Sequence, residues 1–180
     1  STNSTYTITS SSFINNIGTA AGYHGGAIAL EGTANVTLNV TSSYFKGNIA
    51  PPINTTTGSN PNTGGIGGAI AVYRNNGTSL NVDACFFEEN KTDTTSSPVA
   101  DGGAIAIKGN ADNLRATYTI TNSTFLNNEA TDDAGAILIE GSSNQDAKNI
   151  SGTIENCTLV GNVAKHSKST VGGGCIQIYS

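Results

Sequence analysis

The chain has no methionine and no tryptophan, and only 4 prolines and 3 cysteines in 180 residues. Charge is also scarce. Charged residues make up 12% of the chain, against roughly 25% in an average globular domain. Lys and Arg total 8 and Asp and Glu 13, so no basic patch can be read and a nucleic-acid partner is excluded. No apolar run approaches the roughly 18–20 residues of a membrane span. No leader pattern opens the chain, which reads as a mature protein or an excised segment. In place of these features there are 22 Gly, 22 Asn, 18 Ser and 24 Thr. All four are poor helix formers, which argues against a helical bundle. Hydrophobic residues at 36% are too many and too regularly placed for disorder.

Self-similarity is the most informative feature. One motif places Ile or Val five residues before Phe, and Asn three residues after it. It reads Ile8–Phe13–Asn16, Val40–Phe45–Asn48, Val82–Phe87–Asn90, Ile120–Phe125–Asn128 and, with Leu for Phe, Ile154–Leu159–Asn162. The second motif is Gly-Gly-Ala-Ile, at Gly25–Ile28, Gly67–Ile70 and Gly102–Ile105, with variants at Ala134–Ile137 and Gly173–Ile176. The motifs alternate five times, and the Phe positions are 32, 42, 38 and 34 residues apart. A constant unit with variable connections is the result.

Each unit holds three stretches of strand character and no helical period. Repetition of three strands and three turns predicts an all-β parallel β-helix, a solenoid of about five coils of three strands each, stacked about 4.8 Å apart. A rival antiparallel sandwich would need hairpin turns and would not keep like residues at like places. In the solenoid, Ile8, Val40, Val82, Ile120 and Ile154 form an inner aliphatic column. Phe13, Phe45, Phe87 and Phe125, continued by Leu159, form an aromatic one. Asn16, Asn48, Asn90, Asn128 and Asn162 form an asparagine ladder at a corner, where a side-chain amide donates to one neighbour and accepts from the other and where Asn tolerates left-handed backbone. The Gly pairs serve the other sharp corner.

The paired Gly-Gly-Ala-Ile and Phe-x-x-Asn motifs resemble the repeats of the chlamydial polymorphic outer-membrane protein family. The resemblance covers nearly the whole chain, and the departures are Leu159, Ala134 and Cys175. It implies a right-handed β-helix exposed at a cell surface and used for adhesion or as a scaffold.

Candidate chemistry is sparse. Cys85 and Cys157 share a column with Ser11, Ser43 and Ser123, two coils and roughly 9–10 Å apart, too far for a disulfide. Cys175 replaces an Ala of the Gly corner, and the spacing of the three matches no zinc pattern. His24 and His166 lie in connections and read as polar surface residues. No catalytic, cofactor-binding or metal-ligating residue is assigned, and no cofactor is expected. The outer face of the first strand carries Thr and Ser together with Asp83 and Glu155. These two share a column with Thr121 between them, at a separation suited to an inverting carboxylate pair. A carbohydrate-active or glycan-binding β-helix is therefore one alternative, and the Thr rows resemble ice-binding β-helices, a second.

Nine Asn-x-Ser/Thr sequons occur. Asn90 belongs to the ladder, and Asn122 and Asn156 to a turn column with Ser10 and Ser42. The glycosylation candidates are Asn39, Asn54 and Asn76, followed by Asn35 and Asn149. On the third strand, Ala27/Ala29, Ala69/Ala71, Ala104/Ala106 and Ala136/Leu138 either face outward as a smooth stripe that packs against another copy or a covering loop, or have their first Ala turned inward by the Gly corner. Connections vary most at 51–65, 110–114 and 142–148. Residues 1–180 read as one domain, a segment of a longer solenoid or a filament subunit. No capping element is legible at either end, and open coils present unpaired backbone groups. The expectation is an extracellular, cell-surface structural protein, glycosylated and partnered by copies of itself, rather than an enzyme.

Overall fold

The computed structural model describes residues 3–18, 24–31, 35–50, 65–73, 76–92, 100–109, 115–141, 149–165 and 173–179. Among them there is no helix, and every strand pair runs parallel. A first sheet joins Ser4–Thr9, Val36–Thr41, Asn76–Asp83, Arg115–Thr121 and Asn149–Glu155 in that order. A second joins Ser12–Ile14, Tyr44–Lys46, Phe86–Glu88, Thr124–Leu126 and Thr158–Val160. The Gly-Gly-Ala-Ile segments supply another: Ile28–Glu31, Ile70–Tyr73, Ile105–Lys108, Ile137–Glu140 and Ile176–Tyr179. One sheet was not expected. Two-residue strands Ile49–Ala50, Lys91–Thr92, Glu129–Ala130 and Val163–Ala164 pair just after each Asn corner, and Ile17 bridges to Ile49. Two residues are too short to leave a periodic signature.

Register is strict. Ile8 pairs with Val40, Val40 with Val82, Val82 with Ile120 and Ile120 with Ile154. Phe13, Phe45, Phe87, Phe125 and Leu159 do the same in the second sheet. The four phenyl rings stack with centroids 4.8, 4.8 and 4.7 Å apart and planes within 6°. That spacing is the distance between hydrogen-bonded strands, so backbone pairing itself sets the ring contact. Gly152 takes the place of Tyr118 in the last unit because a Cβ there would strike the Tyr118 ring and carbonyl.

The corners explain the remaining sequence pattern. Between the first two sheets Ser10, Ser42, Ala84, Asn122 and Asn156 adopt φ of 48–53°. Before the ladder the left-handed residues are Asn15, Gly47, Glu89, Asn127 and Gly161, at φ of 53–65°. The expectation that the ladder asparagines themselves take that backbone is corrected here: the strained step falls one residue earlier. At the Gly corner Gly25, Gly67, Gly102 and Ala134 have φ of 59–73°. A Cβ on the following Gly68 or Gly103 would collide with the carbonyl oxygen of Gly103 or Gly135.

The main core gathers Leu38, Val40, Phe45, Ile70, Phe87, Ile105, Ile120 and Phe125 between the sheets. Ala69, Ala104 and Ala136 belong to it, so the first Ala of each corner turns inward. Ala71, Ala106 and Leu138 sit on the opposite side, yet they are buried in a second cluster with Ile66, Tyr73 and Ala134. The outward stripe is thus covered within the chain across these units, and Ala29 at its end is exposed.

Candidate functional site

The asparagine ladder is the most ordered polar feature. Asn48 donates its backbone N–H and its Nδ2 to Asn90 Oδ1 at 3.1 and 2.9 Å, and Asn90 does the same to Asn128 at 3.0 and 2.9 Å. Asn16 bonds likewise to Asn48, and Asn128 to Asn162. Each Nδ2 also reaches back to a carbonyl of the preceding unit: Asn48 to Phe13, Asn90 to Phe45, Asn128 to Phe87 and Asn162 to Phe125. Asn48, Asn90 and Asn128 are fully buried. Such groups must be paired to avoid a desolvation cost, and here each amide ties three successive units together.

Several polar side chains on the outer face of the first sheet pair with one another. Ser79 and Thr117 share a hydrogen bond at 2.8 Å, and Asn81 donates to Asn39 at 2.9 Å. The register does place Thr121 between Asp83 and Glu155. Asp83 Oδ1, however, accepts from Thr121 Oγ1 and Asn122 Nδ2, each at 2.7 Å. The Thr121 hydroxyl first, then the Asn122 amide, hold the Asp83 carboxyl below its ordinary pKa. A general acid needs the opposite direction.

A denser polar cluster lies outside the Gly corner. Lys108 Nζ sits 2.7 Å from Asp101 Oδ2 and 2.7 Å from Glu140 Oε2. Tyr179 donates its hydroxyl to Asp133 Oδ2 at 2.7 Å. Asp101, Asp132 and Asp133 each present a carboxylate oxygen within 4.8 Å of the others, and Asp101 is only 3% exposed. A cation is the natural counterpart of three such groups, and the Lys108 ammonium already fills that role against Asp101. Burial alone would lower the Lys108 pKa, but Asp101 and Glu140 outweigh it and the net direction is upward. Burial, then the bond to Asp133, raises that of Tyr179. Sequence reasoning missed this cluster. The residues just before the Gly corner stack on one another in the structure, through Gly67 N–H to the Asp101 carbonyl and Gly102 N–H to the Asp133 carbonyl. Lys108 and Glu140 also pair in register at the ends of their strands.

Other sequence candidates are placed as follows. His24 is not a surface residue: it is 4% exposed, with its ring 4.1 Å from that of Tyr73. Ile66, which follows His24 in the corner stack, is buried in one cluster with Tyr73. His166 and Asn54, with 51–64, 110–114 and 142–148, lie outside the described residues. Cys85, Cys157 and Cys175 are free thiols. Burial pushes the Cys85 thiol up, away from the thiolate that nucleophilic chemistry requires. Asn76 is exposed at the start of its strand, Asn35 and Asn39 are half-buried, and Asn149 lies in the strand Asn149–Glu155. A groove of about 410 Å³ runs past Gly47, Ile49, Glu89, Lys91, Asn127 and Glu129, outside the ladder corner. No helix among the described residues is long and apolar enough to cross a membrane.

In comparison with known proteins, the chain matches no family model, no curated protein and no solved structure.

Proposed function

We propose that the chain is a right-handed parallel β-helix of about five coils, an extracellular structural protein of a cell surface whose copies stack end to end into a fibre, appendage or adhesin stalk. One observation carries this reading. Like residues stack in strict parallel register from unit to unit, with the buried Asn48–Asn90–Asn128 ladder and the Phe45–Phe87–Phe125 rings binding each unit to the next. A stack held by nearest-neighbour contacts of one kind extends by repeating them, which favours end-to-end stacking. The handedness follows the near-universal rule for parallel crossovers within one sheet. The resemblance of the repeats to those of the polymorphic outer-membrane protein family, and the many sequons, support a surface location and glycans at Asn76, Asn39 and Asn35, with Asn54 and Asn149 as further carriers.

In this reading the chain is not an enzyme, needs no cofactor, and meets no nucleic acid. Electron microscopy of the purified 180-residue chain tests it, with long unbranched fibres of one-coil width as the expected outcome. Monodisperse particles at every concentration would remove the stacking role. Sugar release abolished by Asp83→Asn would favour the carbohydrate-active alternative, and thermal hysteresis lost on Thr119→Tyr the ice-binding one. The Ser79–Thr117 and Asn81–Asn39 pairs on that face favour neither.

A further inference from the structure

Three groups converge on the carboxyl of Asp101. This residue stands just before Gly102 and Gly103, and the corner they form brings it back against the end of the strand Ile105–Lys108. Lys108 Nζ is 2.7 Å from Asp101 Oδ2 and 2.7 Å from Glu140 Oε2. Asp101 Cγ is one bond further on, hence within about 4 Å of that nitrogen. The other carboxyl oxygen, Oδ1, accepts the backbone N–H of Asp133, from the next unit, at 3.4 Å. The side chains of Asp101 and Lys108 are only 4% and 14% exposed, so little water reaches the contact. A buried ion pair carries a desolvation cost that a neutral amide avoids. Burial also pushes the Glu140 carboxyl up, the direction that a proton-relaying carboxyl needs.

We propose that Lys108 and Asp101 condense into an intramolecular isopeptide bond, with Glu140 as the proton relay. One Nζ proton first crosses the 2.7 Å contact to Asp101 Oδ2, leaving an amine and a carboxylic acid. The Nζ lone pair then attacks Asp101 Cγ. Negative charge develops on Oδ1, where the Asp133 N–H donates to it, as an oxyanion-hole donor does. Glu140 takes a second proton from the nitrogen and passes it to the Oδ2 hydroxyl. The Cγ–Oδ2 bond breaks, one water leaves, and Glu140 is again a carboxylate. The step consumes no co-reactant. The ion pair of the freshly folded chain is the reactant, and titration of Lys108 belongs to that state. The product closes residues 101–108 into a covalent ring around the Gly102–Gly103 corner, so that this corner cannot be pulled open. The bond requires neither stacking nor a surface location.

Mass spectrometry of the unglycosylated 180-residue chain, made in bacteria and held folded at neutral pH, tests the bond. The intact mass is expected to fall below that of the sequence by one water. Trypsin should then fail to cut after Lys108, giving a single peptide from Thr92 to Arg115 that is lighter by one water. Full mass with normal cleavage after Lys108 in the incubated chain would overturn the proposal. An Asp-Gly step also loses one water when it cyclises to a succinimide, and Asp101–Gly102 is such a step. That product leaves cleavage after Lys108 intact and persists in Lys108→Arg, so either result would overturn the isopeptide. Lys108→Arg and Asp101→Ala should both keep the full mass. Glu140→Gln should lose water roughly a hundredfold more slowly or not at all, and an unchanged rate would remove Glu140 from the reaction. The wild-type mass and digest decide the bond even where a variant fails to fold.

Discussion

Asn90 gives both its backbone N–H and its side-chain Nδ2 to a single oxygen of Asn128, at 3.0 and 2.9 Å, while its own Oδ1 receives the same pair from Asn48. Replacing this residue strands the two Asn48 donors and takes a donor from Asn128 Oδ1 and the Phe45 carbonyl. Each buried unpaired group costs about 1–3 kcal/mol, so Asn90→Ala should lower stability by about 3–5 kcal/mol in chemical denaturation. Asn81→Ala, which removes one outer-face bond, should change it by less than about 1 kcal/mol. Equal effects would show that the ladder is not a principal tie between units.

Phe87 lies between Phe45 and Phe125 at centroid distances of 4.8 and 4.7 Å and is fully buried. Phe87→Ala leaves a ring-sized cavity and should cost about 3–5 kcal/mol. Phe87→Leu copies the natural Leu159 at the same register position and should cost less than half as much. The neighbouring Phe86 is 37% exposed, so Phe86→Ala should have little effect in the same unfolding assay.

The Gly corner makes a paired prediction. Gly103→Ala drives a methyl into the Gly135 carbonyl and the Glu129 backbone, and soluble folded protein should be lost or its melting temperature sharply lowered. Ala134 holds φ of 59°, a conformation that costs an L-residue roughly 1–2 kcal/mol and glycine nothing. Ala134→Gly relieves that strain but loses a buried methyl worth about 0.8 kcal/mol. It should therefore leave stability within about 1 kcal/mol of the natural chain.

Alkaline pH should expose the Lys108 cluster. Lys108 and Tyr179 both have pKa values raised in the fold, from ordinary values of 10.5 and 10.0. Above these ordinary values the unfolded chain releases protons that the folded chain keeps, so stability falls as pH rises. The contribution is whole below about pH 10 and is lost progressively above it. A Lys108→Met, Tyr179→Phe double variant should show a flatter unfolding midpoint between pH 9 and 12 (about the range these groups span). At neutral pH it should be less stable, because Asp101 is left buried without its cation. An unchanged alkaline slope would dissociate these groups from the stability of the fold.

Much of the architecture was legible in particular residues. The Phe and Asn columns and the inner aliphatic column could be read because each unit repeats one residue type at one place, and parallel pairing turns sequence period into spatial register. The carboxylates Asp83 and Glu155 were correctly placed on one column. Their environment was not legible, because the hydrogen bonds of Thr121 and Asn122 to Asp83 depend on side chains from a neighbouring strand. His24 read as a surface residue because its connection is polar, and burial there comes from Tyr73, 49 positions later in the chain.

What the sequence determined by itself was periodicity: which residues recur, which positions must be small, and that successive units pair in parallel rather than fold back. What only the tertiary structure decided was contact between units at irregular positions. The gathering of Lys108, Asp101, Asp132, Asp133, Glu140 and Tyr179, the closure over Ala71 and Ala106, and the left-handed step before each ladder asparagine all depend on the path of the corners. Periodicity is a property of one strand's own spacing. A corner's path is set by steric fit and hydrogen bonding among chain segments about 30–40 residues apart, a repeat length that a local pattern does not reach.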